Sequence, residues 1–329
     1  MPSFCRHNRL EANCPICSRK AKTTAISPPR PARRAAADRA SAPAKRRSPR
    51  TAGDLRVRRM SRAADDGYEH DLVPGLRATV EAARLADELA FSAARLDELR
   101  TDPPGLYAEV AAAGDVEEAA WLAFLIAYLS PLEDDEPFAA IEAARTSWAS
   151  GELPELEGVA TGPRAAHEPR RGTQTILAYR AWARRAGSQA AAYAGDAAWE
   201  PQRRFERAFE RLALPGFGRA PRYELLVLAG HLGVADLRPW SLHLTDPLDA
   251  TTVAAKRVFG IGDALNLQRR ASDLAAAAEV PIEALDLALV NWSRPADDRI
   301  TAGARTPGDE TRRAALRALL RVPADVATP

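Results

Sequence analysis

Apolar residues recur at helical spacing along most of the chain from about residue 63 onward, and the pattern predicts an all-α body. Between residues 76 and 99, Leu85, Leu89, Leu96 and Leu99 mark one helical face, and Thr101-Asp-Pro-Pro-Gly105 closes the run. Val116–Leu129 is apolar on nearly every side (Trp121, Leu122, Phe124, Leu125, Ile126, Tyr128). That predicts a buried central helix, with Asp115 at its N-cap and Pro131 just beyond its end. Further helical patterns cover residues 137–148, 173–194, 201–212, 247–259, 263–278, 281–292 and 310–320. Gly187-Ser-Gln-Ala190 interrupts the second of these and predicts a kink. Residues 151–171 are rich in Gly and Pro and predict a loop, and residues 233–245 form a long insert carrying Trp240 and His243. No stretch alternates as a half-buried strand would.

Charge and cysteine content divide the chain. The net charge of +2 conceals a segment, residues 18–62, with fifteen Lys/Arg against only Asp38 and Asp54, so the remainder is acidic. This segment is Ala-, Arg-, Pro- and Ser-rich without apolar periodicity, which predicts a disordered basic linker over residues 19–62. Its Arg-Arg and Lys-Arg-Arg clusters suit a polyanion such as the DNA backbone, bound without reading sequence; a merely solubilising tail is the plainer alternative. All three cysteines fall within the first 17 residues. Cys5, His7, Cys14 and Cys17 follow the order C-x-H-x6-C-x2-C, a Cys3His set suited to a structural Zn2+. Unliganded thiols, a redox role and an iron–sulfur cluster are the other readings. The domains expected are therefore a zinc knuckle (1–18), the linker (19–62) and a helical body (63–329). No apolar run is long enough to span a membrane, and the N-terminus lacks the apolar stretch of a signal peptide. With so few cysteines, the expected location is the cytoplasm.

The candidate chemistry centres on Leu214-Pro-Gly-Phe-Gly218, which lies between two helical patterns. Pro215 ends the first helix, while Gly216 and Gly218 permit a tight turn with positive φ. The second helix then opens with free N–H groups on which a phosphate oxygen can dock, with Arg219 beside it. A plain helix–turn–helix connection uses the same residues. The turn resembles the L-P-G-I/V-G hairpin of helix-hairpin-helix proteins, with Phe217 in the aliphatic place. Glycosylases of that superfamily follow the hairpin with an aspartate at the mouth of a helix. Asp249, ahead of the helical run that stops at Gly260, fits this place, although the intervening insert is longer than usual. The text Thr245-Asp-Pro-Leu-Asp249 also reads as a helix start capped by Asp246 with Pro247 at its first position, which makes Asp246 the alternative carboxylate.

Several local texts carry a wider resemblance: Phe4-Cys-Arg-His-Asn-Arg with Cys14-Pro-Ile-Cys17, Asp102-Pro-Pro-Gly-Leu-Tyr107, Ala254-Ala-Lys-Arg-Val-Phe-Gly-Ile-Gly-Asp263, and Glu283-Ala-Leu-Asp-Leu-Ala-Leu289. Together they resemble the α-glutamyl/putrescinyl thymine pyrophosphorylase family (clade 3), within the helix-hairpin-helix DNA glycosylases, over residues 65 to about 293. The family is linked to hypermodified pyrimidines of phage genomes, and its bacterial members look like antiviral defence proteins. The resemblance implies a DNA glycosylase that flips a bulky modified pyrimidine out of double-stranded phage DNA and excises it. Glucosylated 5-hydroxymethylcytosine is one such base. In that chemistry a carboxylate, here Asp249, stabilises the oxocarbenium-like sugar and positions water. Bifunctional members place a lysine two residues after the second hairpin glycine; here that position is Ala220, which implies a monofunctional enzyme leaving abasic sites. Lys256, two helical turns beyond Asp249, is a candidate phosphate contact or a surface charge. Tyr68, Trp240, His243, Asn291 and Trp292 are candidates for stacking on or bonding a flipped base, and each also suits a core or surface position. A non-catalytic DNA-binding module and an enzyme of modified-nucleotide metabolism are the rival expectations.

Overall fold

A computed structural model describes residues 63–305 and 309–327. The zinc knuckle expected from Cys5, His7, Cys14 and Cys17, and the basic linker, lie outside the described residues. Those residues form twelve α-helices: α1 (Thr79–Thr101), α2 (Leu106–Ala112), α3 (Val116–Leu129), α4 (Ala139–Ala144), α5 (Gln174–Ala186), α6 (Gln189–Ala194), α7 (Pro201–Arg211), α8 (Arg219–His231), α9 (Ala250–Phe259), α10 (Ala264–Ala277), α11 (Ala284–Trp292) and α12 (Glu310–Leu319). Among the described residues there is no strand, so the body is all-α.

Helix α3 has the bounds its apolar run predicts. Asp115 caps it by accepting from Glu117 N at 2.8 Å, and eleven of its residues are buried. Trp121, Phe124 and Tyr128 form an aromatic column that continues onto Tyr179 of α5, whose ring lies 3.8 Å from Phe124. Burying such a ring contributes roughly 1.5–3 kcal/mol. The first turn of α3 also organises its neighbours, because Glu117 accepts from the amides of Gln189 and Ala190 and so caps α6. Ser130, at φ +59, and then Pro131 end the helix.

Helix α1 is buried on most sides between α11, α12 and α8. Its buried acids are paired: Asp87 with Arg313 and Arg317 of α12, Glu88 with Arg299, and Glu98 with Arg305. Buried carboxylates would otherwise cost several kcal/mol each.

Elsewhere the helices are shorter than the apolar pattern predicts. The expected kink at 187–190 is a full break, with Gly187 at φ +96 and Ser188 capping α6 through Ala191 N. The run expected over 137–148 keeps only α4, since Glu118 draws Ser147 Oγ, Trp148 N and Ala149 N onto its carboxylate and the chain turns there. Helix α9 starts at Ala250 rather than at 247. Helix α2 has no counterpart in the sequence reading; one turn and a half of apolar periodicity in Leu106, Tyr107 and Val110 is too short a signal.

Candidate functional site

The glycine turn between α7 and α8 is a four-residue turn closed by Phe217 N to Leu214 O at 3.0 Å. Gly216 occupies its third position at φ +75, and a Cβ there would come 2.8 Å from Thr175 Oγ1. Thr175 in turn donates to Pro215 O at 2.7 Å, which pins the turn to the start of α5. Phe217 is buried against Phe124, so this side chain anchors the hairpin in the core while Gly218 stays exposed. Gly218 is the N-cap of α8. Arg222 N makes the first intrahelical bond, to Gly218 O, and Pro221 has no amide proton, so the helix mouth offers one donor fewer than usual.

Arg219, the first residue of α8, points inward. Its side chain is 2 % exposed. The guanidinium donates to Asp286 Oδ1, to Leu242 O and, at 3.1 Å, to Thr251 Oγ1. Its burial replaces the phosphate contact expected of it: here Arg219 holds the interior together.

Asp249 meets this cluster from the other side. It is the N-cap of α9, and its Oδ2 accepts from Thr252 N at 3.1 Å and lies 3.8 Å from Arg219 Nη1. The side chain is 7 % exposed, and among the described residues Oδ1 takes no hydrogen bond, which leaves it the free oxygen of the carboxylate. Asp246 is exposed and does not cap the helix; its Oδ1 accepts from Leu248 N at 3.0 Å and shapes the turn ahead of Asp249. The helix start read at Asp246 therefore moves to Asp249.

Behind both lies Asp286 of α11, 3 % exposed. It accepts from Arg219, from Thr251 Oγ1 at 2.9 Å, and from Arg164 Nη2 at 2.5 Å. Burial alone would raise its carboxyl, but the two guanidiniums outweigh burial and hold it well below the usual carboxylate range. Arg164 comes from the Gly/Pro-rich loop. Gly162 lets that loop close on the end of α3, where a Cβ would meet Pro131 O at 1.9 Å, and its amide donates to Leu129 O. A second buried pair, Arg95 with Glu224 at 2.5 Å, lies on α1 and α8. The site is thus a largely buried carboxylate at a helix mouth, its side chain 7 % exposed, backed by a fixed network of buried charges and next to a glycine hairpin.

The remaining candidates are scattered. Asn291 is fully buried, with Nδ2 donating to Ile300 O and Oδ1 accepting from Ile300 N, both at 2.9 Å. That uses its whole amide face on backbone and leaves none for a base edge. Trp292 is buried too, donating to Glu81 O at 2.9 Å under the Arg257 guanidinium. Tyr68 donates to Leu320 O at 2.7 Å, tying the start of the described chain to the end of α12, and burial pushes its hydroxyl up to about 12. All three act as structural ties, with their polar atoms bonded to backbone. His243 is half-buried at φ +52, its ring stacked 3.8 Å from Phe209 with Nε2 3.2 Å from Glu206. Trp240 is 57 % exposed beside Glu200, Glu206 and Glu210 and the arginines Arg203 and Arg207. Lys256 is half-buried on α9.

Sequence reasoning passed over Asp286, Arg164 and Thr251. The signal available for Asp286 was a single acid in the apolar run Ala284–Trp292, where a charge must be paired to be buried. Among the described residues no cluster of His, Cys, Asp or Glu could hold a metal ion, and no helix is long and apolar enough to cross a membrane.

No curated protein and no solved structure matches this chain. A family model does match, over residues 164–301, a span that begins at Arg164 and contains the turn, Arg219, Asp249, Thr251 and Asp286. The N-terminal texts, including Asp102-Pro-Pro-Gly-Leu-Tyr107, lie outside it. Over that C-terminal span the chain is similar to the alpha-glutamyl/putrescinyl thymine pyrophosphorylase clade 3 family.

Proposed function

We propose that the chain is a monofunctional DNA glycosylase that removes a bulky modified pyrimidine, such as glucosylated 5-hydroxymethylcytosine, from phage DNA in the cytoplasm. The observation that carries this reading is the 3.8 Å approach of Arg219, which opens the helix after the glycine turn, to Asp249, the N-cap of α9. A backbone-holding hairpin of the helix-hairpin-helix kind and a carboxylate lie side by side. The exposed Gly218 end of the turn meets the phosphates of double-stranded DNA, Lys256 adds a charge along the same strand, and the basic linker supplies sequence-blind attraction.

In the reaction, Asp249 Oδ1 faces the sugar of the extruded nucleotide. As the C1′–N1 bond of the pyrimidine breaks, the carboxylate stabilises the positive charge growing on the sugar and orients a water. The water oxygen bonds to C1′ and its proton leaves with the base, which leaves an abasic site. Arg219 and the Thr252 amide fix the Oδ2 end, so Oδ1 keeps its direction. The position two residues after Gly218 is Ala220, so no lysine amine is placed there for strand cleavage.

The test is incubation of the full chain with a panel of modified phage DNAs and with unmodified DNA, followed by alkali. Breaks at abasic sites are expected only in modified DNA, and no breaks on any modified DNA would overturn the reading. A second reading, an enzyme acting on modified nucleotides, is favoured by the words thymine pyrophosphorylase in the matching family's description. Turnover of free modified nucleotides with intact duplexes left untouched would select it. A DNA-binding module without chemistry would bind the same duplexes and release nothing.

Cys5, His7, Cys14 and Cys17 are proposed as a structural zinc site. Metal analysis of the purified chain is expected to give one zinc per chain, falling in Cys14→Ser; a zinc content that is low and unchanged by the substitution removes the knuckle.

A further inference from the structure

Leu248 immediately precedes Asp249 and is 89 % exposed, more than any other large apolar side chain among the described residues. Leaving it in water forgoes the roughly 1.5–3 kcal/mol that burial of a leucine gives. A single exposed leucine needs no explanation in itself. This one differs because its backbone is pinned: Leu248 N donates to Asp246 Oδ1 at 3.0 Å, Asp249 N donates to Asp246 O at 3.3 Å, and Pro247 fixes φ between them. A side chain that is solvent-facing yet held on a rigid turn is pre-organised to enter something. On α9, Val253, 45 % exposed, and then Lys256 continue from Asp249 at four- and three-residue steps, so they share its face of the helix.

Flipping a nucleotide leaves a gap in the base stack about one 3.4 Å step deep, and apolar wedges between base steps hold duplexes open. The wedge must lie within about a step of the carboxylate that acts on the extruded sugar. Leu248 is the adjacent residue. Leu265, 82 % exposed, follows the far end of α9, whose ten residues span about 15 Å, or roughly four base steps. Trp240 borders a mixed-charge groove with Glu206, Glu210, Arg203 and Arg207 and is nine residues from Asp249 along the chain, whereas Leu248 is its neighbour.

We propose that Leu248 is the wedge that fills the place of the flipped base while Asp249 acts on the extruded nucleotide. This rests on the glycosylase reading above, and the experiment separates the two. A duplex carrying 2-aminopurine next to the modified base is bound to the full chain, and both fluorescence and base release are followed. The native protein is expected to raise the fluorescence as the stack opens. Leu248→Ala cuts that rise and slows base release by about 10- to 100-fold, the scale set by unstacking costs. Leu248→Met, which keeps a long apolar side chain, retains both. The side chain is exposed, so neither substitution disturbs the core. A full fluorescence rise in Leu248→Ala, an equal loss in Leu248→Met, or no rise in the native protein overturns the wedge. A rise in the native protein without base release overturns the glycosylase reading alone.

Discussion

Asp249→Asn is expected to slow base release from modified DNA by about 10²–10⁴-fold while DNA binding changes little. The variant is informative because asparagine caps helices about as well as aspartate. The Thr252 amide keeps its acceptor, α9 keeps its start, and the neighbouring Leu248 turn, held by Asp246, is untouched. The carboxylate charge is removed, and with it the 3.8 Å ion pair to Arg219, which keeps its bonds to Asp286 and Leu242 O. Single-turnover release measured by alkali-labile breaks, set beside a binding titration on the same duplex, separates the two effects. Excision at the native rate would take the role away from Asp249 and pass it to Asp246, the other acid of this turn. Equal losses of binding and release would mean that Asp249 shapes the surface and does not act on the sugar.

The largest loss of stability is expected for Asp286→Asn, at about 3–5 kcal/mol, because it leaves two buried guanidiniums facing a neutral amide. Arg164 is 6 % and Arg219 2 % exposed at the side chain, so solvent does not screen the residual charge. For a body of this size, that loss lowers Tm by about 6–20 °C. The pH dependence carries a second signature. Asp286 is held below its ordinary range in the folded chain, so its contribution is fully present above the unfolded carboxylate value of about 3.9 and fades as acid protonates it. Denaturant titrations at a series of pH values should therefore show the gap between native and variant widest near neutrality and narrowing below about pH 4. A variant with native Tm at pH 7 would show that the cluster is not what holds α8, α9 and α11 together.

Much of the helical framework was legible because its causes are local. The apolar run of α3, its Asp115 cap, the interruption at Gly187 (a break where a kink was expected) and the glycine turn at 214–218 are each set within a turn or two of chain. Helix ends were less legible where a distant group competes for them, as Glu118 does for the residues after α4. Of the candidate site, Asp249 is chosen by its place after the hairpin, and the local reading of the helix start points to Asp246, three residues short of the cap that the structure has. Arg219 is a candidate from its place at the start of α8, and Asn291, Trp292 and Tyr68 chiefly from residue type; in the structure each has an internal partner.

The sequence by itself determined an all-α body, a glycine turn between two helices and an acid ahead of the helix that follows. Tertiary structure alone decided that Arg219 turns inward, that Arg164 from a loop meets Asp286 across 122 residues of chain, and that Leu248 remains outside. Periodicity and capping act over a few residues, so they can be read along the chain. A buried charge is tolerable only beside its counter-charge, and which counter-charge arrives depends on which helices pack together.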